Sequence, residues 1–310
     1  MMYVHTPIPA KPFLKWAGGK TQLLAALTER LPRQIRESGI IEVYVEPFVG
    51  GGAFFFHLKS NFTVKRAYLL DINKELILGY RVIQEAPEAL IVLLKELEAK
   101  YQTLNSQGRK AFYYAIREQY NQQMYHFNYG SFNEDWILRA SWLIFLNKTC
   151  YNGLFRQNQK GEFNVPHGSY DHPTICDADN IRAVSKALEN VTLICDDFLG
   201  SKGFIDHGTL VYFDPPYRPL SKTANFTSYS KHTFTDEDQI RLANFYRELD
   251  TKGAFLLLSN SDPKASNPDD NFFDDLFAGF NIERVFAKRA INRDPTGRGE
   301  ITELIIRNYG

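Results

Sequence analysis

The sequence has 310 residues, and its 36 Lys and Arg side chains balance 36 Asp and Glu side chains, so the formal net charge is zero. A chain of this length can hold one α/β domain with a large insertion, or two small domains. No stretch approaches the ~20 apolar residues of a membrane span, and the amino end lacks the features of a signal peptide, so we expect a cytoplasmic protein.

The charge balance and the cysteines restrict the function classes further. A simple nucleic-acid binder carries excess Lys and Arg, so any DNA-binding surface here must be local. The three cysteines, at positions 150, 176 and 195, form neither a disulfide framework nor a CxxC metal site, and the seven histidines contain no HExxH pair. We therefore expect no metal.

The first predicted element is a helix over residues 21–31, preceded by a glycine turn. Gly19-Lys20-Thr21 resembles the end of a P-loop, but Leu14 occupies the position of the required glycine. Trp16 and Lys20 would lie at the start of the helix, where an indole can cover a purine-like ligand and an ammonium can pair with a carboxylate.

A strand, a glycine turn and a helix follow, over residues 41–48, 49–52 and 53–58. The backbone of such a turn can approach a ligand closely, and the mismatch to GxGxxG argues against a dinucleotide. A second strand, over residues 67–70, ends at Asp71, from which an acid commonly holds ribose hydroxyls. The alternative is a purely structural turn with Asp71 as a helix cap.

Residues 74–147 show helical periodicity without strands, and we interpret them as part of an insertion. Residues 147–166 then combine turn signals with aromatic, amide and basic side chains, which is typical of a β-hairpin that enters a DNA groove. Arg156 could bridge guanine O6 and N7, and an aromatic ring could wedge into the base stack. The alternative is an ordinary polar surface hairpin.

After a helix over residues 179–188, a strand over 191–195 ends near Asp197 and Phe198, which could bracket an adenine. Residues 221–235 are expected to form a loop that closes over a site. The remaining predicted elements are helices over 236–249 and 272–278 and strands over 254–259, 282–287 and 301–306.

The strongest signal is the buried strand over residues 210–213, which stops at Asp214-Pro215-Pro216-Tyr217. The lone pair of an exocyclic amine on an aromatic base is delocalised and must be localised before it can attack an electrophile. The Asp214 carboxylate and the Pro215 carbonyl can each accept one N–H of that amine, and Tyr217 offers a stacking face. The alternative is a proline turn with Asp214 as an incidental residue.

Four motifs together resemble the Dam-type, α-group N6-adenine DNA methyltransferases of the D12 class. They are Phe-Leu-Lys-Trp-Ala-Gly-Gly-Lys at 13–20, Glu-Pro-Phe-Val-Gly-Gly-Gly at 46–52, Tyr-Asn-Gly-Leu-Phe-Arg at 151–156 with Gly-Glu-Phe-Asn-Val-Pro at 161–166, and Asp-Pro-Pro-Tyr at 214–217. The resemblance implies an α/β, Rossmann-like, seven-stranded mixed sheet with its last strand antiparallel. It also implies a catalytic domain at 1–73 and 174–310, and a helical and hairpin target-recognition subdomain at 74–173.

The resemblance further assigns roles to individual positions. The implied catalytic residues are Asp214, Pro215, Pro216 and Tyr217. The implied contacts to the donor, S-adenosylmethionine, are Trp16, Lys20, Glu46, Phe48, Gly50, Gly52, Asp71, Asp197, Phe198 and Asp214. The implied DNA contacts are Lys15, Tyr151, Asn152, Leu154, Arg156 and Pro166. Cys150, residues 157–160 and the extra residues around 262–275 depart from the family pattern.

The expected function is methyl transfer to N6 of an adenine flipped out of duplex DNA, with GATC as the expected site. The alternatives are an N4-cytosine methyltransferase, which usually carries serine where Asp214 stands, and a catalytically silent DNA-binding protein of the same fold. The expected partners are double-stranded DNA and, if the enzyme protects DNA, a cognate restriction endonuclease. We expect a monomer in solution.

Overall fold

The computed structural model describes residues 9–16, 22–219, 234–288 and 300–310. Lys20, a predicted cofactor contact, lies outside the described residues, as does most of the loop predicted at 221–235. The predicted helix at 21–31 corresponds to a shorter helix in the described part of the chain, Leu24–Glu29.

A seven-stranded sheet forms the centre of the molecule, in the order β3-β2-β1-β4-β5-β7-β6. Strand β7 is antiparallel to both of its neighbours, and the other strand pairs are parallel. The strands are β1 Ile40–Glu46, β2 Thr63–Asp71, β3 Val191–Cys195, β4 Leu210–Phe213, β5 Phe255–Ser261, β6 Asn281–Lys288 and β7 Glu300–Arg307. The predicted fold class, a Rossmann-like mixed sheet with its last strand antiparallel, is confirmed.

Strand β4 lies between β1 and β5, and all four of its residues are buried. Its side chains alternate between the two faces of the sheet. Tyr212 packs into a core with the first helices and the insertion, whereas Val211 and Phe213 pack into a second core on the other face. Burial on both faces explains why the sequence of this strand is a continuous run of apolar residues.

Helices cover both faces of the sheet. They are α1 Leu24–Glu29, α2 Arg33–Ser38, α3 Ala53–Asn61, α4 Lys74–Glu85, α5 Pro87–Thr103, α6 Ser106–Gln123, α7 Glu134–Thr149, α8 Ala178–Ala187, α9 Asp236–Thr251 and α10 Phe272–Leu276. No helix in the described part of the chain has the length and apolar character needed to cross a membrane.

Helix α4 connects the insertion to the sheet. The Asn73 side chain caps its first turn by accepting the N–H groups of Glu75 and Leu76. Further along, the Gln84 amide donates to the carbonyls of Leu188 and Val191, next to β3. Because α4 packs on the sheet as well as on α7, it lies in the layer that covers the sheet even though the predicted insertion begins with it.

A buried ion pair joins α4 to α7. Arg139 and Glu75 are almost fully buried, and two guanidinium nitrogens donate to the two carboxylate oxygens at 2.8 and 2.7 Å. Arg139 also donates to the Tyr120 carbonyl at 2.9 Å, and its guanidinium lies 4.1 Å from the centre of the Tyr120 ring. These extra bonds satisfy charges that would otherwise be costly to bury.

The segment predicted as a hairpin over 147–166 reverses direction with antiparallel pairing, but it begins within a helix. Its first three residues are the end of α7, and a 3-10 turn over Tyr151–Gly153 follows. The chain then reverses with two isolated antiparallel bridges, Cys150 to His167 and Gln157 to Phe163, in place of a continuous ladder. The Asn158 N–H donates to the Glu162 carbonyl and the Asn164 N–H donates to the Arg156 carbonyl. The Asn158 side chain adds to these backbone bonds by accepting the N–H groups of Lys160 and Glu162.

Candidate active site

The Asp214-Pro215-Pro216-Tyr217 loop follows β4 at the carboxyl edge of the sheet. Asp214 is half-buried and Pro215 is buried. The Gln239 amide, on α9, donates to the Pro216 carbonyl at 3.1 Å, and Asn260, on β5, donates to Gln239 at 3.1 Å. Both amide side chains are buried, so the loop is held from behind by a polar network within the core.

Two hydroxyl groups and a second carboxylate contact the ends of this loop. Ser259 Oγ donates to Asp214 Oδ1 at 3.1 Å. The Tyr217 hydroxyl donates to Glu303 Oε2 on β7 at 2.7 Å. Burial raises the pKa of Tyr217 well above its usual range, and Asp214 and Glu303 raise it further. Tyr217 therefore stays a neutral phenol, with its ring orientation fixed by Glu303.

The glycine turn after β1 has the tight geometry that its sequence predicts. Gly50 and Gly52 have φ angles of +47° and +69°. A Cβ atom on Gly50 would lie 3.0 Å from Trp16 Cδ1, and one on Gly52 would lie 2.6 Å from the Tyr80 hydroxyl. The backbone therefore approaches its neighbours more closely than any side chain would allow.

Asp71 joins this turn to the end of β2. Its carboxylate accepts the Gly50 N–H at 3.1 Å and the Asn73 N–H at 2.8 Å. Burial raises the pKa of Asp71 to about 6, although these two backbone bonds oppose the rise. The structure thus brings together three predicted cofactor residues, Trp16, Gly50 and Asp71.

Glu46 ends β1, between the ends of β2 and β4. It is 2% exposed and accepts a hydrogen bond from the Tyr44 hydroxyl at 2.8 Å. Burial raises the pKa of Glu46 well above its usual range, and the nearby Asp214 and Asp71 raise it further. Three carboxyl groups therefore lie at adjacent strand ends, where burial and the charges of Asp214 and Asp71 disfavour ionisation of Glu46.

Phe48, Asp197 and Phe198 lie together at the next part of this edge. The Phe198 ring is 2% exposed and is enclosed by Phe48, Phe245 and the Arg241 guanidinium. Asp197 forms an ion pair with Arg241. In this arrangement Phe198 supports the half-buried Phe48 ring from beneath.

The predicted DNA-contacting residues lie on one connected surface. Lys15, Tyr151, Asn152, Arg156 and Pro166 are exposed and Leu154 is half-buried. The Phe155 ring, which is buried between them, stacks on Trp16 with centroids 5.0 Å apart. This stack places the predicted DNA-contacting residues next to the glycine turn.

Arg156 is oriented by a neighbour on the opposite arm of the reversal. Its Nε donates to Asn164 Oδ1 at 2.8 Å. A second guanidinium nitrogen, Nη2, donates to the Asn164 carbonyl at 3.4 Å, so the two contacts together fix the plane of the guanidinium.

Sequence reasoning missed the buried polar residues that support the site. Asn147, which is fully buried, accepts the Lys15 N–H at 2.9 Å and donates to the carbonyls of Lys15 and Gly153, each at 3.0 Å. Ser259, Asn260, Gln239 and Glu303 support the loop after β4 in the same way. Only Ser259 and Asn260 left a signal, since polar residues follow the apolar run of β5 at its carboxyl end.

Comparison with known proteins gives consistent matches over almost the whole chain. Residues 16–291 match the family model for the D12 class N6 adenine-specific DNA methyltransferase. The chain is 49% identical over 300 residues to the type II methyltransferase M.MjaIII of Methanocaldococcus jannaschii, covering 96% of this chain and 99% of that protein.

Two further relatives cover similar lengths. The type II methyltransferase M1.LlaDCHI of Lactococcus lactis subsp. cremoris is 37% identical, with 98% of this chain and 97% of that protein covered. The DNA adenine methylase of Escherichia coli strain K12 is 33% identical, with 94% and 93% covered. Among solved structures, the chain is similar to the precorrin 8W decarboxylase of Methanobacterium thermoautotrophicum at 11% identity, with 98% of this chain and 100% of that chain covered. The TM-score of 0.36 shows that this similarity is distant.

Proposed function

The chain belongs to the D12 class of N6 adenine-specific DNA methyltransferases, and from this premise we propose that Asp214 and Pro215 activate the adenine amino group within a short duplex site. The observation that carries the proposal is the position of this acceptor pair. It lies in a loop held by buried Gln239 and Asn260, at the same sheet edge as the glycine turn and Asp71. The proposed activity of the protein is that of a site-specific DNA methyltransferase that acts on adenine.

The methyl donor of this family is S-adenosylmethionine, which supplies an electrophilic methyl group on a positively charged sulfonium. The residues at the sheet edge fit such a ligand. The glycine turn brings its backbone close to Trp16, a predicted donor contact, and Asp71 can accept ribose hydroxyls. The carboxylates of Asp71 and Asp214 at this edge favour a cationic centre.

Asp214 and Pro215 then act on the adenine amino group. Each accepts one N–H, which draws N6 toward tetrahedral geometry and directs its lone pair away from the ring. The Asp214 carboxylate also stabilises the positive charge that develops on N6 during attack. The surplus proton leaves to water after transfer.

We propose that the target adenine is flipped out of the duplex to reach the half-buried Asp214. N6 of a paired adenine lies within the duplex, so the base must leave the stack to reach Asp214, at a cost of about a few kcal/mol. We propose that the flipped adenine stacks on Tyr217, whose ring Glu303 holds in one orientation. Such a stack contributes roughly 1–3 kcal/mol.

We assign target recognition to the insertion at 74–173, and within it to the segment after α7. Tyr151 and Leu154 offer wedging side chains, and Arg156 offers a guanidinium oriented for the O6 and N7 atoms of a guanine. GATC is the proposed site, because the sequence of this segment resembles that of family members that recognise GATC. Residues 157–160, which depart from the pattern, form the tip of the reversal.

The proposed partner is double-stranded DNA, bound by a monomer. Two relatives are named type II methyltransferases, so we propose that a cognate restriction endonuclease exists for this enzyme. Since its substrate is cellular DNA, we place the protein in the cytoplasm.

The test is incubation with tritiated S-adenosylmethionine and duplexes that carry GATC or a one-base variant of it. Label in N6-methyladenine, in GATC duplexes alone, supports the proposal; label in other duplexes would redirect the site, and label in cytosine would overturn the chemistry. Asp214→Ala should abolish transfer and leave DNA affinity within about threefold. Asp179→Ala, which removes an exposed carboxylate on α8, serves as the matched control. Full activity in Asp214→Ala would refute the assignment of Asp214.

A further inference from the structure

A chain of two buried hydroxyl groups ends on the carboxylate of Asp214. The Tyr212 hydroxyl lies 2.8 Å from Ser259 Oγ, and Ser259 Oγ lies 3.1 Å from Asp214 Oδ1. Tyr212 is 1% exposed and Ser259 is fully buried. The arrangement follows from sheet register, since β4 and β5 pair in parallel with Phe213 opposite Leu258, which brings Ser259 beside Asp214.

Counting hydrogens fixes the direction of both bonds. An ionised carboxylate can only accept, so the single hydroxyl hydrogen of Ser259 goes to Asp214. Ser259 has then no hydrogen left for Tyr212, so the Tyr212 hydroxyl must donate to Ser259. Each bond polarises the next one, and the whole chain points at Asp214.

We propose that Ser259 is a positioning residue for methyl transfer, and that Tyr212 acts through it. The Ser259 bond holds the Asp214 carboxylate in one orientation about its Cβ–Cγ bond, so that it meets the adenine amino group without reorganising. This inference rests on the proposed function, in which Asp214 accepts the amino hydrogen. It adds that the acceptor is aligned from the core side, by a strand that carries none of the family motifs described above.

Removing either hydroxyl should therefore slow methyl transfer more than it weakens the binding of S-adenosylmethionine or DNA. Hydrogen bonds to charged groups contribute more than neutral ones, so Ser259→Ala should slow single-turnover transfer by roughly 10- to 100-fold. Tyr212→Phe removes the second bond of the chain and should slow transfer by about 3- to 10-fold. The double variant should be no slower than Ser259→Ala alone, because Tyr212 has no route to Asp214 without Ser259.

The experiment measures single-turnover transfer from S-adenosylmethionine to PCR-amplified, hence unmethylated, duplex DNA with enzyme in excess over sites. Equilibrium affinities for S-adenosylmethionine and for the DNA are measured alongside and should stay within about threefold of wild type. Two matched controls remove hydroxyls of equal burial that donate to backbone carbonyls, Ser141→Ala in α7 and Tyr246→Phe in α9. Both controls should transfer at the wild-type rate.

A variant that keeps the hydroxyl distinguishes a positioning role of Ser259 from a role in packing alone. Ser259→Thr keeps the hydroxyl and should retain a rate within about tenfold of wild type and above that of Ser259→Ala. If Ser259→Ala does not fold, Tyr212→Phe decides the question, because it leaves the ring in place; a wild-type rate in Tyr212→Phe would then overturn the proposal.

The outcomes also separate this inference from the proposed function. An inactive Asp214→Ala together with a fully active Ser259→Ala would overturn the role of Ser259 alone. A fully active Asp214→Ala would overturn the proposed function and this inference with it. Equal losses of rate and of affinity in Ser259→Ala, without rescue by Ser259→Thr, would assign Ser259 a structural role only.

Discussion

Replacing Asn147 by Ala should test how the amino-terminal segment is connected to the surface proposed to read DNA. Asn147 makes three hydrogen bonds, two with the backbone of Lys15 and one with the carbonyl of Gly153. The site is fully buried, so water cannot easily replace the lost partners. At about 1 kcal/mol for each bond, the free energy of unfolding should fall by about 3 kcal/mol.

The functional effect should exceed what lost stability explains. Lys15 and the turn after α7 are proposed DNA contacts, and Trp16, which follows Lys15, stacks on Phe155. With Asn147 removed, the two DNA-contacting parts can move independently. DNA affinity should therefore fall even at temperatures where the variant is fully folded.

The assay is urea unfolding followed by circular dichroism, with DNA affinity measured by fluorescence anisotropy on the same samples. Asn121→Ala is the matched control, because the Asn121 side chain also anchors the reversal, through both backbone groups of Phe163, but does not contact Lys15. It should lose stability without the additional loss of affinity. A destabilisation below about 1 kcal/mol for Asn147→Ala, or equal affinity in the two variants, would refute the reasoning.

Three further predictions address charge. Burial raises the pKa of Asp71 to about 6, so the folded protein keeps a proton that the unfolded chain releases near pH 4. As the pH rises from 4 to 6, the free energy of unfolding of wild type should therefore fall by about 2–3 kcal/mol relative to that of Asp71→Asn. The same pH dependence of urea unfolding in both proteins would contradict this. Arg139→Ala leaves the Glu75 carboxylate buried without its partner and should cost about 3–5 kcal/mol, whereas replacing both residues by apolar ones should cost far less in the same assay. Arg156→Ala should reduce discrimination at one guanine by about 1–3 kcal/mol, measured as transfer rates on single-base variants; unchanged discrimination would remove Arg156 from the reading surface.

Local patterns were sufficient to predict the order of elements. A few residues are enough to recognise the strand before Asp214, the glycine turn after Glu46 and the acid at Asp71. The reason is that strand burial, positive φ and strand termination are local constraints. The resemblance of the four motifs to a known family then implied the mixed sheet and the family. The boundaries were less well predicted: the segment predicted as a hairpin from residue 147 begins as the last turn of α7, and its two arms pair through isolated bridges.

The sequence by itself thus determined the fold class, the family and the loop that carries the proposed chemistry. Only the tertiary structure decided which side chains hold that loop and its surroundings in place. Ser259 reaches Asp214 across 45 positions of chain and Asn147 reaches Lys15 across 132. Phe198 is buried beneath Phe48 because both lie at the edge of one sheet. Such contacts depend on strand order and register, which no short stretch of sequence encodes, because they are fixed by the packing of the whole core.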